Sequence, residues 1–215
     1  MAGRRAGPVA AALFRFDRPF LRRHGVVAGV DEAGCGPLAG PVVAAAVILP
    51  PRAFVPRLND SKQLTHEKRC EVYRVIQRVA CAIGVGIVDH AEIDRLNIRQ
   101  AGFAAMRLAL RGLVISPDYV LVDGFRIPGW HTPHRAIIDG DAKSARIAAA
   151  SIIAKVTRDC LMEALDRRYP GYGFKQHKGY GTELHIECLD RLGPSPVHRL
   201  SFAPVRLARG RERVG

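Results

Sequence analysis

The chain has 215 residues and a mass of 23.5 kDa, with 48% hydrophobic and 25% charged residues, a composition that excludes a disordered or fibrous class. No apolar run reaches the roughly 18 residues that a membrane helix needs, which excludes an integral membrane protein. Thirty-three Lys and Arg against twenty Asp and Glu give a net charge of +13 and a pI near 10.2; such a chain needs a polyanionic partner, and nucleic acid fits because each neutralised phosphate releases counterions.

Residues 1–24 carry two arginines and then an apolar stretch that Arg15 and Asp17 cut short. They are expected to form a basic, loosely ordered arm, not an export signal or a membrane-surface helix with bulky anchors. Val26–Asp31, Pro41–Leu49 and Cys81–Val88 are short apolar runs that predict three strands. Between the second and third, Val72, Val75, Ile76 and Val79 recur at helical spacing, so a helix is expected over about 65–79, with Thr65 as its N-cap. A second helix is expected over Asn97–Leu113, from Ala101, Ala104, Ala105, Leu108 and Leu113. Tyr119–Val122 and Arg135–Ile138 add two short strands, each running into an acid near a glycine, Asp123 and Asp139. A long Ala/Ile-rich helix over Ala142 to about Arg168, a Gly/Tyr/Lys loop over Tyr169–Gly181 and a short helix over about Thr182–Leu192 follow. The alternation predicts an α/β mixed sheet covered on both faces, in a single unit over 25–205 that is followed by a basic tail, 206–215. The five cysteines, at 35, 70, 81, 160 and 188, form no C-x-x-C pair; a disulfide framework or zinc site is not expected, and reduced thiols point to the cytoplasm.

Four acids stand out in this basic chain: Asp31 and Glu32 in GVDEAGCG, Asp123 in VLVDG and Asp141 in IDGDAKS. Each follows a strand or opens a helix, and strand C-termini are where open α/β sheets place their sites. Taken singly, each has a structural explanation: Asp141 as an N-cap, Asp123–Gly124 as a turn pair, Asp31–Glu32 as solvated charge. Strand side chains alternate faces, so Asp31 and Glu32 cannot both leave one regular face. Together, clustered carboxylates repel one another unless a cation holds them, and oxygen-only donors select magnesium or manganese. Such a site suits phosphoryl chemistry with two ions, and with a nucleic-acid partner the reaction would be phosphodiester hydrolysis. No P-loop or nucleophile-elbow pattern competes.

The segments GVDEAGCGPLAGPVVAAAVIL, LNDSKQLT, VDG, GDAKSARIAAASIIAKVTRD and HKGYGT, in this order, resemble bacterial ribonuclease HII over roughly residues 26–205. The resemblance implies a ribonuclease H-like fold with a mixed five-stranded sheet flanked by helices and a C-terminal helical segment. It implies a divalent-metal-dependent endonuclease, expected to be monomeric, that cuts RNA in RNA/DNA hybrids and nicks 5′ to single ribonucleotides embedded in duplex DNA. By motif, Asp31, Glu32, Asp123 and Asp141 would be the metal-binding carboxylates. Gly34-Cys35-Gly36 matches the family's Gly-Arg-Gly loop, whose backbone approaches ribose 2′-hydroxyls. Cys35 stands where that arginine would be, which leaves the backbone to make the contact. Tyr180 matches a tyrosine that stacks on the sugar at the DNA side of an RNA-to-DNA junction, and Lys62, Lys143, Lys155, Lys178 and Arg199 are candidate phosphate contacts. Rival readings are a junction resolvase of the same fold, a sister ribonuclease with an added N-terminal domain, for which the residues before the first strand are too few, and a noncatalytic duplex-binding protein.

Overall fold

A computed structural model describes residues 8–59 and 61–211. Five strands, β1 (Val27–Ala33), β2 (Val42–Ile48), β3 (Ala82–Val88), β4 (Tyr119–Asp123) and β5 (His134–Ile137), make one mixed sheet in the order β3-β2-β1-β4-β5. The first three pair antiparallel, whereas β1, β4 and β5 run parallel. This is the expected five-stranded α/β sheet. The parallel register pairs Val30 with Val122, so the next residues, Asp31 and Asp123, stand side by side where the β1–β4 pairing ends, while still paired to β2 and β5.

Helices cover both faces, which is why β2 is buried along its whole length. On one face α4 (Ile98–Arg111) packs on Val30, Ala44 and Ala46; on the other, α5 (Ala145–Arg168) and α2 (His66–Val79) enclose Ala45 and Val47. Thr65 caps α2 as expected, accepting from the Lys68 N–H. Helix α5 is buried all round in its first half and apolar there apart from Arg146 and Ser151; it starts at Ala145 behind the cap Ser144, and residues 140–142 form a tighter 3-10 turn. The short α3 (His90–Leu96) and α6 (Phe174–His177) escape periodicity because neither completes two turns. Helix α7 (Glu183–Leu192) is capped by Thr182.

The ends of the chain differ from the expectation. Pro8–His24 is a helix, α1, not a loose arm. Ala10, Leu13, Phe14 and Asp17 share one face at helical spacing and pack inward. The acid that seemed to break the apolar stretch is instead buried against Arg146, the second residue of α5. Arg146 donates through its backbone N–H (3.2 Å) and Nη1 (3.1 Å) to Asp17, through Nε to the Val27 carbonyl (3.0 Å) and through Nη2 to the Leu49 carbonyl (2.6 Å). Burial lifts the Asp17 carboxyl above its ordinary value, while Ser144 and Arg146 pull it back. At the other end, 203–211 is helix α8, with Val205 and Ala208 buried against Leu38 and Leu189; residues 1–7 and 212–215 of the proposed arm and tail lie outside the described set.

Removing one partner of a buried ion pair strands the other charge, at a cost of about 3–5 kcal/mol. Asp17→Ala should therefore lower unfolding free energy by about that amount in urea titrations. A loss below about 1 kcal/mol would show that α1 merely rests on the domain.

Candidate active site

Asp31, Glu32 and Asp123 line a single cleft at the carboxyl ends of β1 and β4, together with Gly34, Cys35, Gly36, Ser61, Ser151, Lys155 and Tyr180. Pleating sends Asp31 toward the α5 face and Glu32 toward the α4 face. Asp31 is buried; one of its carboxylate oxygens accepts the Glu32 N–H at 2.7 Å, and Ser151 of α5 bonds the same carboxyl. The Ser151 hydroxyl in turn lies 2.9 Å from that of Ser61. Asp123 is pinned by the Gly140 N–H at 2.6 Å. Asp141, next along, is buried on this same turn and does not line the cleft. Among the described residues no group of three or more His, Cys, Asp or Glu is spaced as a ready-made metal cage.

Whether the acids suit a cation is answered by Asp31. Burial first, then the charges of Glu32 and Asp123, hold its carboxyl well above the usual carboxylate range, against the opposing Ser151 and Glu32 N–H bonds. A hard divalent ion would relieve that repulsion, and the donors are all oxygens. The residues fit such an ion.

Two buried arginines shape the loops around the acids. Arg199 donates to the carbonyls of Gly34 (2.7 Å), Cys35 (3.2 Å) and Gly40 (3.0 Å). Arg158 of α5 donates to those of Pro41 (3.0 Å), Ala39 (3.2 Å) and Lys178 (2.9 Å). In a trans peptide the carbonyl and the following N–H point oppositely, so the Cys35 and Gly36 N–H groups are directed away from Arg199. Gly34, at φ +98°, has no room for a Cβ, which would lie 2.1 Å from Arg158 Nε. Arg199 is fully buried, which corrects its assignment as a phosphate contact; it organises the loop from behind. The Cys35 thiol lies 3.5 Å from Glu32, and desolvation with that carboxylate pushes it up to about 12, so it stays protonated.

The lysines divide. Lys155 lines the cleft 2.7 Å from Asp159, and burial lowers its pKa. Lys178 is turned to Glu163 at 2.7 Å and largely buried, so it is not a free phosphate contact. Lys143 is exposed and donates to the Ile138 carbonyl at 2.7 Å. Lys62 sits on the turn Ser61–Gln63, and its side chain lies outside the described set.

Tyr180, 43% exposed as a residue, reaches the cleft with its ring 5.9 Å from Lys155 Nζ and 6.0 Å from the Arg158 guanidinium carbon, and the Cβ position of Gly36 is 3.7 Å from it. Its loop is held by histidines that sequence reading did not single out. His185 donates from Nδ1 to the Tyr180 carbonyl (2.9 Å), so its Nε2 accepts from His198 Nε2–H (3.0 Å). His198 Nδ1 then accepts from the N–H (2.9 Å) and hydroxyl (2.8 Å) of Ser195. His177 donates to the Tyr172 carbonyl (2.7 Å) and accepts the Gly179 N–H (3.1 Å). Every ring nitrogen is committed with each ring neutral. Burial pulls His185 down to about 4 and His198 down to about 3, the latter also through His185.

Unfolded histidine takes its proton near pH 6.5, and these two rings take theirs lower. Their contribution is therefore complete above about pH 6.5 and is lost as pH falls toward 4 and 3, about 3 kcal/mol for His185 and about 5 kcal/mol for His198. Imidazole nitrogen NMR should show both rings neutral at about pH 5.5. A protonated ring there would break the relay as drawn.

The ribonuclease HII family model matches residues 28–205. Ribonuclease HII of Geobacillus kaustophilus is 51% identical over 92% of this chain and 84% of its own length, and that of Geobacter sulfurreducens is 52% identical over 94% of each. Among solved structures, ribonuclease H2 of Pyrococcus horikoshii matches with a TM-score of 0.76 at 28% identity, over 88% of this chain and 100% of the other. A Bst-RNase HIII crystallised with Mn2+ shares the fold, with a TM-score of 0.71 at 19% identity over 97% of this chain and 75% of that one.

Proposed function

The chain belongs to the ribonuclease HII family and is an endoribonuclease of the ribonuclease H class; on that premise we propose that it cuts the RNA strand of RNA/DNA hybrids and nicks duplex DNA on the 5′ side of a single embedded ribonucleotide. The observation that carries this reading is the meeting of Asp31, Glu32 and Asp123 in a cleft that also holds the Gly34–Gly36 loop and Tyr180. In this reading residues 25–205 are the catalytic unit. Asp31, Glu32 and Asp123 would hold divalent magnesium or manganese, with Asp141 joining from the turn whose Gly140 N–H bonds Asp123. Bound there, a pair of such ions would neutralise charge developing on the phosphate and orient the attacking water.

The remaining steps belong to the chain's own groups. The Cys35 and Gly36 N–H groups, turned away from Arg199, would bond a ribose 2′-hydroxyl, the group that separates RNA from DNA. Tyr180 offers an aromatic face to the next sugar, where a 2′-hydroxyl would crowd the ring. Lys155, which lines the cleft from α5, would meet the strand's phosphates. A noncatalytic duplex binder would gain nothing from a buried, repelling Asp31, and the clustered acids would weaken its hold on phosphate.

Asp31→Asn or Asp123→Asn should abolish nicking of a duplex with one ribonucleotide, with magnesium or manganese present, and leave hybrid binding largely intact. Near wild-type turnover in either variant would overturn the carboxylate assignment. Stacking on an aromatic is worth roughly 1–3 kcal/mol, so Tyr180→Ala should lose about tenfold to a hundredfold in efficiency on that duplex, and Tyr180→Phe less. An unchanged rate for Tyr180→Ala would remove junction reading and leave the nuclease.

A further inference from the structure

Beyond the cleft that holds Tyr180 lies a second cavity, of about 310 Å3, on the α4 side of the same acids. Glu32, Cys35 and Asp123 line both. Its floor and far wall are Ile98, Gly102, Phe103 and Met106 of α4, with Phe125 and Arg99 at the mouth. Resting on the nuclease reading above, we infer that this cavity is a subsite for the sugar and base edge of a nucleotide on the 5′ side of the scissile phosphate, with Phe125 as its platform and Arg99 as its phosphate-facing cation.

Three independent features point there. Phe125 is 61% exposed two residues after Asp123, a large ring left in water beside a polar site; Arg99 lies over it, the guanidinium carbon 4.7 Å from the ring centroid. An apolar face joined to a cation is a pairing that takes a sugar or base and its phosphate. Gly102 is the second feature. It is buried in the interior of α4, where glycine costs a helix about 1 kcal/mol relative to alanine, yet a Cβ there would meet nothing within 4 Å. Gly84 and Gly86 of β3 differ, because a Cβ at either would lie 2.0 Å from an α4 carbonyl oxygen. Packing therefore explains Gly84 and Gly86 and leaves Gly102 as open floor.

Position is the third feature. Because Asp31 and Glu32 leave β1 on opposite faces, a strand crossing the acids has Tyr180 on one side and Phe125 on the other. If Tyr180 takes the nucleotide 3′ to the ribonucleotide, Phe125 meets the nucleotides 5′ to the cut. The polar groups of this cavity are Arg99, assigned here to a phosphate, and Glu32, Cys35 and Asp123 at its border with the acids; the floor of Ile98, Gly102, Phe103 and Met106, with Phe125, offers no side-chain donor or acceptor for a 2′-hydroxyl, so a sugar seated on it is held alike with or without that hydroxyl. That tolerance is what an enzyme working on both long hybrids and single ribonucleotides needs upstream of the cut.

The test uses the full-length protein, duplexes with one ribonucleotide, and a series in which the cleaved strand is shortened from its 5′ end or, separately, from its 3′ end. Phe125→Ala should weaken binding and cleavage about tenfold on the long duplex. Gly102→Ala should do the same while its melting temperature holds or rises, since alanine suits the helix; a lost rate then cannot be a folding failure. Both defects should fade as the 5′ flank is shortened and persist as the 3′ flank is. Wild-type rates in both variants, or a defect equal at every 5′ length, or one that follows the 3′ flank, would overturn the subsite and leave the nuclease standing. A wild-type protein that leaves the long duplex uncut would sink the nuclease reading and the subsite with it.

Discussion

The close seating of α5 on β1 governs most of the site. A Cβ on Gly29 would lie 2.1 Å from the Arg146 carbonyl carbon, so the helix backbone rests directly on the strand, and the alanines 148–150 and 154 that follow are small enough to continue the contact. Once that distance is set, α5 works as a ruler with marks three to five residues apart. Arg146 ties α1, β1 and the end of β2 together, Ser151 reaches Asp31, Lys155 lines the cleft, and Arg158 reaches the Lys178 and Ala39 carbonyls. A larger residue at 29 would push all four out of register at once.

The basic composition divides into two populations with different work. Arg146, Arg158 and Arg199 are the largest fully buried side chains, and between them they satisfy backbone carbonyls at strand ends and loops that have no ladder partner. Guanidinium suits this because its five donors form a fixed fork with no acceptor to be left unpaired. These three charges are buried on backbone carbonyls; on the reading proposed above, affinity for a polyanion would fall to the exposed ones. The acids divide in a parallel way: Asp17 is answered by a guanidinium, whereas Asp31 is crowded by two more carboxylates and so is suited to a metal ion.

Much of this was legible in the sequence, for a physical reason: the strands are short apolar runs that end abruptly, so acids placed at those ends were visible as a pattern without any coordinates. Asp31, Glu32 and Asp123 do meet. What stayed hidden depended on tertiary contact. Asp17 reads as a helix-breaking charge until Arg146 is seen beside it, and Arg199 and Lys178 read as free cations until Gly34, Cys35 and Glu163 claim them. The histidine relay spans residues 177–198 across three segments with no metal-ligand spacing, so only the fold could assemble it. Phe125 carries no charge and belongs to no recognised motif here, and its exposure, the Arg99 guanidinium over its ring and its place on the cavity appear only in the fold.

Strand alternation, which forbids Asp31 and Glu32 from sharing a face, is what gives the site two sides. Had both acids emerged together, one cleft would have held the acids, the glycine loop and every contact to the strand. Instead the end of β1 stands between two cavities: Tyr180, Gly34 and Gly36 line the one on the α5 side, Phe125 and Gly102 the one on the α4 side, and Glu32, Cys35 and Asp123 border both. On the reading proposed above, sugar discrimination and strand holding would then rest on different helices, and a change at the α4 floor would alter how firmly a strand is held without altering Tyr180 or the glycines at 34 and 36.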